Sequence, residues 1–209
     1  MLIGLYGGTF DPVHIGHQHV AQTVVASLGL ESLHWVLSAR PGHRLDPMTS
    51  VDHRWAMLLL ACAESPRFVA DRTEIDRAGK SFTYLTVKAW READPTHVPC
   101  WIMGLDAYVT LPQWFQWRDL MQECNIVVVE RPGESVKLPT VLTDLETEHR
   151  VGKLEDQVGQ ILHLDVPMKE VSATDIRRKI AQGKSVEHLL MPSVYHYIRQ
   201  HQLYTENAI

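Results

Sequence analysis

The chain has 209 residues, of which 45% are hydrophobic and 22% charged, a size that suits one well-buried α/β domain and is short for two. Its 20 basic and 25 acidic residues give a net charge of −5, which excludes a broad basic surface for nucleic acid. Three widely spaced cysteines argue against a disulfide framework or a zinc site, and no signal peptide or run of about 18 apolar residues is present, which predicts a cytoplasmic protein without membrane contact.

Apolar strand-like runs alternate with helical patterns along the chain, which predicts a parallel sheet covered by helices on both faces. The predicted strands are residues 2–6, 33–37, 68–70, 98–103, 126–129 and 161–164. The predicted helices are residues 14–28, 51–63, 82–92, 172–182 and 192–202. The polar segment 133–157 is predicted to be a surface excursion. Ligands of such sheets bind beyond the carboxyl ends of the strands, where every candidate motif below falls.

The most informative segment is GGTFDPVHIGH, residues 7–17, between the first predicted strand and helix. Gly7 and Gly8 would let the chain turn sharply and let a ligand approach main-chain N–H groups. The helix start adds unpaired N–H groups and a favourable dipole for a polyphosphate. His14 and His17 are three residues apart and would face one side. Read alone, the segment could also be a turn with two histidines on the surface or on a metal.

A second candidate is VSATDIR, residues 171–177. Ser172 is a plausible N-cap, and Thr174 and Arg177 would lie near the same helix start. Hydroxyls together with a bidentate arginine suit a β- or γ-phosphate. Read alone, this segment is a capped amphipathic helix.

The two motifs together resemble a known pair. The first is similar to the GxFxPxHxGH signature of the nucleotidylyltransferase superfamily, and the second to its (I/V)S(S/A)TxxR motif. Further segments narrow the resemblance to the bacterial nicotinate-nucleotide adenylyltransferases: RPGHR at 40–44, SFTY at 81–84 with WR at 90–91, MGLD at 103–106, LPQWF at 111–115 and ERPG at 130–133. It covers nearly the whole chain. It implies a Rossmann-like, doubly wound parallel sheet of the nucleotidylyltransferase type, with residues 1–209 as a single domain.

The middle segments carry the candidate acceptor site. Arg44, after a Pro/Gly loop, could hold a mononucleotide phosphate. Asp106, after Gly104, could accept hydrogen bonds from ribose hydroxyls or could cap a helix. Trp114 could stack on a pyridine ring or pack in the core. The resemblance implies that Trp114 stacks on the nicotinate ring. It also implies that backbone amides near three positions receive the ring carboxylate: Thr83, Tyr84 and Phe115.

The reaction that the resemblance implies is attack by the phosphate of nicotinate mononucleotide on the α-phosphorus of ATP, giving deamido-NAD and pyrophosphate. Catalysis would come from positioning and charge stabilisation by His14, His17 and Arg177, without a covalent nucleophile. Mg²⁺ would arrive with ATP, and no dedicated protein metal site is predicted. The candidate ATP-binding residues are Gly7, Gly8, Thr9, Phe10, His14, His17, Arg131, Ser172, Thr174 and Arg177.

Some positions depart from the family. Pro41-Gly42 stands where two prolines are usual, and Ser38 and Ala39 stand where many members carry asparagine. Other acceptors therefore stay open: nicotinamide mononucleotide, and less readily phosphopantetheine or a polyol phosphate. A non-catalytic nucleotide sensor on the same fold is the alternative from another class. The sequence predicts no oligomeric state.

Overall fold

A computed structural model of the chain describes residues 1–41, 47–133, 136–167 and 169–205. The strands in this part of the chain are β1 (Leu2–Gly8), β2 (Leu33–Leu37), β3 (Phe68–Asp71), β4 (Val98–Gly104), β5 (Asn125–Glu130) and β6 (Ile161–Asp165). They form one sheet in the order β3-β2-β1-β4-β5-β6, and every pairing is parallel. The strand order reverses between β1 and β4, so the predicted Rossmann-like fold is confirmed.

The strands are buried because both faces of the sheet are covered. In β5 the first five residues are buried, and their side chains alternate between two separate clusters of core residues. Val127 and Val129 pack into one cluster with the helices that flank β1 and β2. Ile126 and Val128 pack into the other, with the helices that follow β3 and β4. This continuous burial explains why the strands are apolar runs rather than alternating patterns.

The five helices that the sequence predicted lie within one or two residues of their predicted bounds. They are α1 (Ile15–Leu28), α2 (Val51–Cys62), α4 (Thr83–Ala93), α8 (Ala173–Ala181) and α9 (Pro192–Gln200). Helix α1 ends at Gly29, which has a left-handed backbone with φ of 61°. No helix in the described ranges combines the length and apolar character needed to cross a bilayer.

The structure adds helices that the sequence pattern did not predict. Three are single turns: α3 (Thr73–Asp76), α5 (Leu105–Val109) and α6 (Leu120–Glu123). The fourth is α7 (Thr140–His149), which lies inside the segment interpreted as a surface excursion. Its only buried residue is Leu142, and its remaining positions are mostly polar, so the apolar periodicity is too weak to predict a helix.

Candidate functional site

A cavity of about 1060 Å³ opens beyond the carboxyl ends of β1 and β4, where the strand order reverses. The described residues bring most of the predicted site residues to its wall. Those at the wall are Gly7, Gly8, Thr9, Phe10, His17, Thr83, Gly104, Asp106, Trp114, Phe115, Thr174 and Arg177.

Four predicted residues do not form part of the wall as the described residues shape it. His14 lies behind it with 6% exposure, and Ser172 is taken up by the start of α8. Tyr84 is half-buried, with its ring 6.4 Å from that of Phe115. Arg131 is exposed just after the end of β5. Arg44, together with His43 and Gly42, lies outside the described residues.

The two histidines of the first motif are tied together at the start of α1. His14 is the N-cap, and its Nδ1 accepts hydrogen bonds from the backbone N–H groups of Gly16 and His17 at 3.2 and 3.4 Å. The backbone N–H of His14 donates in turn to Nδ1 of His17 at 3.3 Å. The rings stack with centroids 3.7 Å apart. Because both Nδ1 atoms act as acceptors, each neutral ring carries its proton on Nε2.

Burial keeps both imidazoles neutral. It lowers the pKa of His14 to about 4. The pKa of His17 lies well below its ordinary value, first because of burial and then because His14 is adjacent. Two positive charges on rings this close would repel strongly. The free protein therefore presents the neutral ring of His17 at this end of the cavity, with the neutral ring of His14 stacked on it behind the wall.

The helix start differs from the expectation of unpaired N–H groups. The N–H groups of Gly16 and His17 are already engaged by His14, so a ligand there would meet the imidazoles and the helix dipole rather than free amides. An imidazole can occupy the N-cap because it offers an acceptor nitrogen at the distance of a serine or asparagine oxygen. The sequence analysis placed the two rings on phosphate, on a metal or on the surface, and it missed this capping role.

The expected sharp turn at Gly7 and Gly8 is also wrong. Both residues belong to β1, and neither has positive φ. A Cβ on Gly7 would collide with the side chain of Trp101, and one on Gly8 would lie 2.7 Å from the ring of Phe10. The lack of a side chain at these two glycines therefore leaves room for the rings of Trp101 and Phe10. The left-handed backbone falls instead on Phe10, with φ of 48°, just before a cis Asp11–Pro12 bond.

Asp11 is a buried site residue that the sequence reasoning did not single out. Its Oδ2 accepts from the backbone N–H of Met48 at 2.9 Å, and its Oδ1 accepts from the hydroxyl of Tyr204 at 2.6 Å. Its backbone oxygen accepts from Nη1 of Arg177 at 2.7 Å. The only local signal was its place in the motif, because its partners lie far away in sequence.

Arg54 of α2 is a second residue that the sequence analysis did not single out. It is 2% exposed, and all the hydrogen bonds that its guanidinium makes within the described ranges go to backbone oxygens. Burial lowers its pKa, an effect that the nearby carboxylate of Asp11 opposes. Arg54 ties the turn after β1 to the segment after β2 through the carbonyls of Thr9 at 3.0 Å, Ser38 at 2.7 Å, Ala39 at 3.0 Å and Thr49 at 3.3 Å.

At the start of α8, Ser172 is the N-cap, as the sequence predicted, and its Oγ accepts from the backbone N–H of Asp175 at 3.1 Å. Thr174 Oγ1 accepts from Nη2 of Arg177 at 3.3 Å. The Nε of Arg177 is buried and has no hydrogen-bond partner among the described residues. The guanidinium is thus fixed on two sides at the cavity wall and retains an unused donor.

The other end of the cavity is aromatic. The rings of Phe82 and Phe115 stack with centroids 4.8 Å apart, and half-buried Trp114 lies beside them. The Nε1 of Trp114 is 3.4 Å from Thr110 Oγ1. Helix α4 begins at Thr83 on the same wall, and no side chain in the described ranges caps it. Its first N–H groups are therefore open to an anion.

Asp106 lies in the first turn of α5, whose N-cap is Gly104 rather than Asp106 itself. A Cβ on Gly104 would lie 2.6 Å from Oδ1 of Asp106, so the glycine leaves room for this carboxylate. Burial raises the pKa of Tyr6, and the negative charge of Asp106 adds to that effect. Both side chains line the cavity, which makes Asp106 a hydrogen-bond acceptor inside it.

A buried polar network supports the loop before α4. Glu74 is 4% exposed, and its Oε1 accepts from the hydroxyl of Thr86 at 2.7 Å. Burial raises the pKa of Glu74, while hydrogen bonds from Ser81 and Thr86 oppose the shift. Arg40 reaches the same loop, where its backbone N–H donates to Ser81 Oγ at 3.1 Å. This network fixes the position of the α4 start.

Metal-ligating side chains do not cluster at the site. Among the described residues, no three of histidine, cysteine, aspartate and glutamate lie close enough together to hold a metal ion.

Comparison with known proteins agrees with this geometry. Residues 5–179 match the family model described as cytidylyltransferase-like. A protein of Hydrogenovibrio crunogenus described as a probable nicotinate-nucleotide adenylyltransferase is 37% identical over 97% of each chain. One from Aeromonas hydrophila with the same description is 38% identical over 97% of this chain and 96% of its own.

Solved structures show the same fold. The Plasmodium falciparum nicotinic acid mononucleotide adenylyltransferase complexed with NaAD superposes with a TM-score of 0.75, at 17% identity and over 97% of each chain. At that identity the likeness speaks for the fold alone, and the family rests on the sequence relatives. The chain therefore belongs to the nicotinate-nucleotide adenylyltransferases, within the cytidylyltransferase-like family.

Proposed function

We propose that the chain transfers AMP from ATP to nicotinate mononucleotide, giving deamido-NAD and pyrophosphate. One observation carries the proposal. A single cavity of about 1060 Å³ has imidazole and guanidinium donors at one end and an aromatic wall with an open helix start at the other. Pockets for one drug-sized ligand reach about 1,000 Å³ at most, so this cavity suits two nucleotides side by side. The relatives of known name support the same reaction.

At the donor end, the imidazoles of His14 and His17 would stabilise the α-phosphate as negative charge develops on it. Their Nε2–H groups are set by the hydrogen bonds to Nδ1, so no reorganisation is needed during the reaction. The acceptor phosphate is already an anion and needs no general base. Catalysis then consists of alignment and charge stabilisation.

Arg177 and Thr174 would hold the leaving pyrophosphate. The guanidinium lies at the wall, and its Nε has no hydrogen-bond partner in the part of the chain that the structure describes. Mg²⁺ enters as part of the substrate, MgATP, and neutralises part of the triphosphate charge. Gly7, Gly8, Thr9 and Phe10 would line the path of the phosphates.

At the acceptor end, Trp114 would stack on the pyridine ring. The open N–H groups at the start of α4, near Thr83 and Tyr84, would receive the ring carboxylate, with the backbone of Phe115 alongside. Asp106 would accept hydrogen bonds from ribose hydroxyls. A helix start favours a carboxylate over a neutral amide, which supports nicotinate over nicotinamide mononucleotide. From its place in the sequence, Arg44 would hold the phosphate of the acceptor.

Pyrophosphate release from MgATP, with nicotinate and nicotinamide mononucleotide assayed in parallel, tests the proposal. We expect pyrophosphate release to depend on the presence of an acceptor. The kcat/KM should show a clear preference for nicotinate mononucleotide. Equal use or the reverse preference would contradict the role of α4 in reading the carboxylate. MgATP binding without release with either acceptor would favour the nucleotide sensor.

A further inference from the structure

Tyr204 joins the end of the described chain to the first motif. It lies just beyond α9, is 3% exposed, and donates its hydroxyl hydrogen to Oδ1 of Asp11 at 2.6 Å. Its backbone is left-handed, with φ of 63°, a conformation that a bulky residue adopts only where surrounding contacts hold it. The contact therefore spans most of the sequence to reach the turn after β1.

Asp11 is the point at which three segments of the cavity meet. Its carboxylate binds the hydroxyl of Tyr204 on one oxygen and the backbone N–H of Met48 on the other. Its backbone oxygen accepts from Nη1 of Arg177, the guanidinium that lines the donor end. With 5% exposure, Asp11 has little water to replace a lost partner.

We infer that Tyr204 is a positioning residue: its hydroxyl holds Asp11, whose backbone oxygen holds the guanidinium of Arg177 toward bound triphosphate. The inference rests on the proposed function for the identity of that ligand. An arginine side chain is flexible, and fixing its head group before binding reduces the entropy lost when phosphate arrives. Tyr204 touches no reacting atom and would act only through Asp11.

The anchoring of α9 does not depend on this hydroxyl. Val194 and Ile198 of α9 are fully buried in the core, and the hydroxyl of Tyr197 lies 2.9 Å from Nδ1 of His53 on α2. In Tyr204→Phe the ring still fills its place, and the hydroxyl contacts with Asp11 and Thr49 are lost. Tyr197→Phe is a matched control, because it removes one hydroxyl contact of the same C-terminal region away from the cavity.

The experiment compares the wild type, Tyr204→Phe and Tyr197→Phe, each alone and combined with Arg177→Ala. MgATP dissociation constants by calorimetry and kinetic constants for pyrophosphate release are measured at a temperature where every variant is folded. We expect Tyr204→Phe to weaken MgATP binding and lower kcat/KM for ATP by about tenfold, the scale of one charge-assisted hydrogen bond. The acceptor KM of Tyr204→Phe should stay within about twofold of wild type. All constants of Tyr197→Phe should also stay within about twofold of wild type.

The combination with Arg177→Ala separates positioning from general stability. If Tyr204 acts through Arg177, its removal should cost nothing further once the guanidinium is gone. An equal loss in both backgrounds, or equal losses in the two tyrosine variants, would overturn the inference. A wild type that binds MgATP but transfers to no acceptor would defeat the proposed function while the binding cycle still tests Tyr204. A wild type that binds neither MgATP nor pyrophosphate would overturn both.

Discussion

The two ends of the cavity are built in different ways. The donor end comes mainly from one contiguous segment, residues 7–17, whose histidines bond to each other, together with the first turn of α8. The acceptor end is assembled from residues that lie far apart in the chain, around Ser81, Gly104 and Trp114. In the proposed function, the chemistry is thus concentrated in one short motif, whereas the choice of acceptor depends on how several loops are held. Variants at each end can therefore separate effects on the chemistry from effects on acceptor binding.

The largest effect is expected at the donor end. His17→Ala should lower kcat by about 10²–10³, the cost of one transition-state donor, with little change in the acceptor KM. Steady-state pyrophosphate release measures both constants. A His17→Ala enzyme with nearly normal kcat would remove this imidazole from the reaction.

The tie that Arg54 makes between the turn after β1 and the segment after β2 should be the next most sensitive feature. Arg54→Met leaves the carbonyls of Thr9, Ser38 and Ala39 without their donor, so we expect a loss of about 3 kcal/mol in the free energy of unfolding. Urea unfolding measures it. Arg67→Met, at an exposed position, is the control and should change stability by less than about 0.5 kcal/mol. Similar stabilities of the two variants would show that the buried guanidinium does not hold the ends together.

The acceptor end should respond in binding rather than in chemistry. Trp114→Ala removes the proposed stacking face, so the KM for nicotinate mononucleotide should rise about tenfold or more, the usual scale for a ring on an aromatic side chain. The KM for ATP, measured in the same assay, serves as the internal control. A parallel rise in both would mean that Trp114 supports the whole cavity and does not read the acceptor.

The last prediction concerns the pH dependence of stability. The folded chain holds the pKa of His14 at about 4 and that of His17 well below normal, whereas unfolded histidines titrate near 6.5. Below that pH the unfolded state binds more protons, so stability is present above about pH 6.5 and is lost as pH falls toward 4. Each ring contributes a slope of about 1.4 kcal/mol per pH unit.

His14→Asn tests this slope without removing the helix cap, because asparagine is itself a good N-cap. Urea unfolding between pH 7 and 5 should show a shallower decline for the variant than for wild type. Parallel declines would mean that His14 is not held neutral in the folded chain.

The sequence predicted the parallel sheet and five of the helices because buried strands appear as apolar runs and these helices have apolar patterns and recognisable ends. It missed α7, in which Leu142 is the one fully buried residue and Val141 and Leu145 are only partly buried. It also missed Asp11 and Arg54, because their partners are set by tertiary folding: Tyr204 for the first, and carbonyls on three separate segments for the second. Gly7 and Gly8 were assigned to a turn, since a sequence does not show which aromatic ring will pack on a glycine.

The cap of α1 is also one of the two imidazoles assigned to the reaction. His14 cannot turn its Nδ1 away without releasing the amides of Gly16 and His17. Fraying of this first turn would therefore displace the imidazoles of the donor end while the sheet behind it stayed intact. We expect mild heat or denaturant to abolish activity before the protein unfolds, because the opening of one helical turn is enough to displace His14.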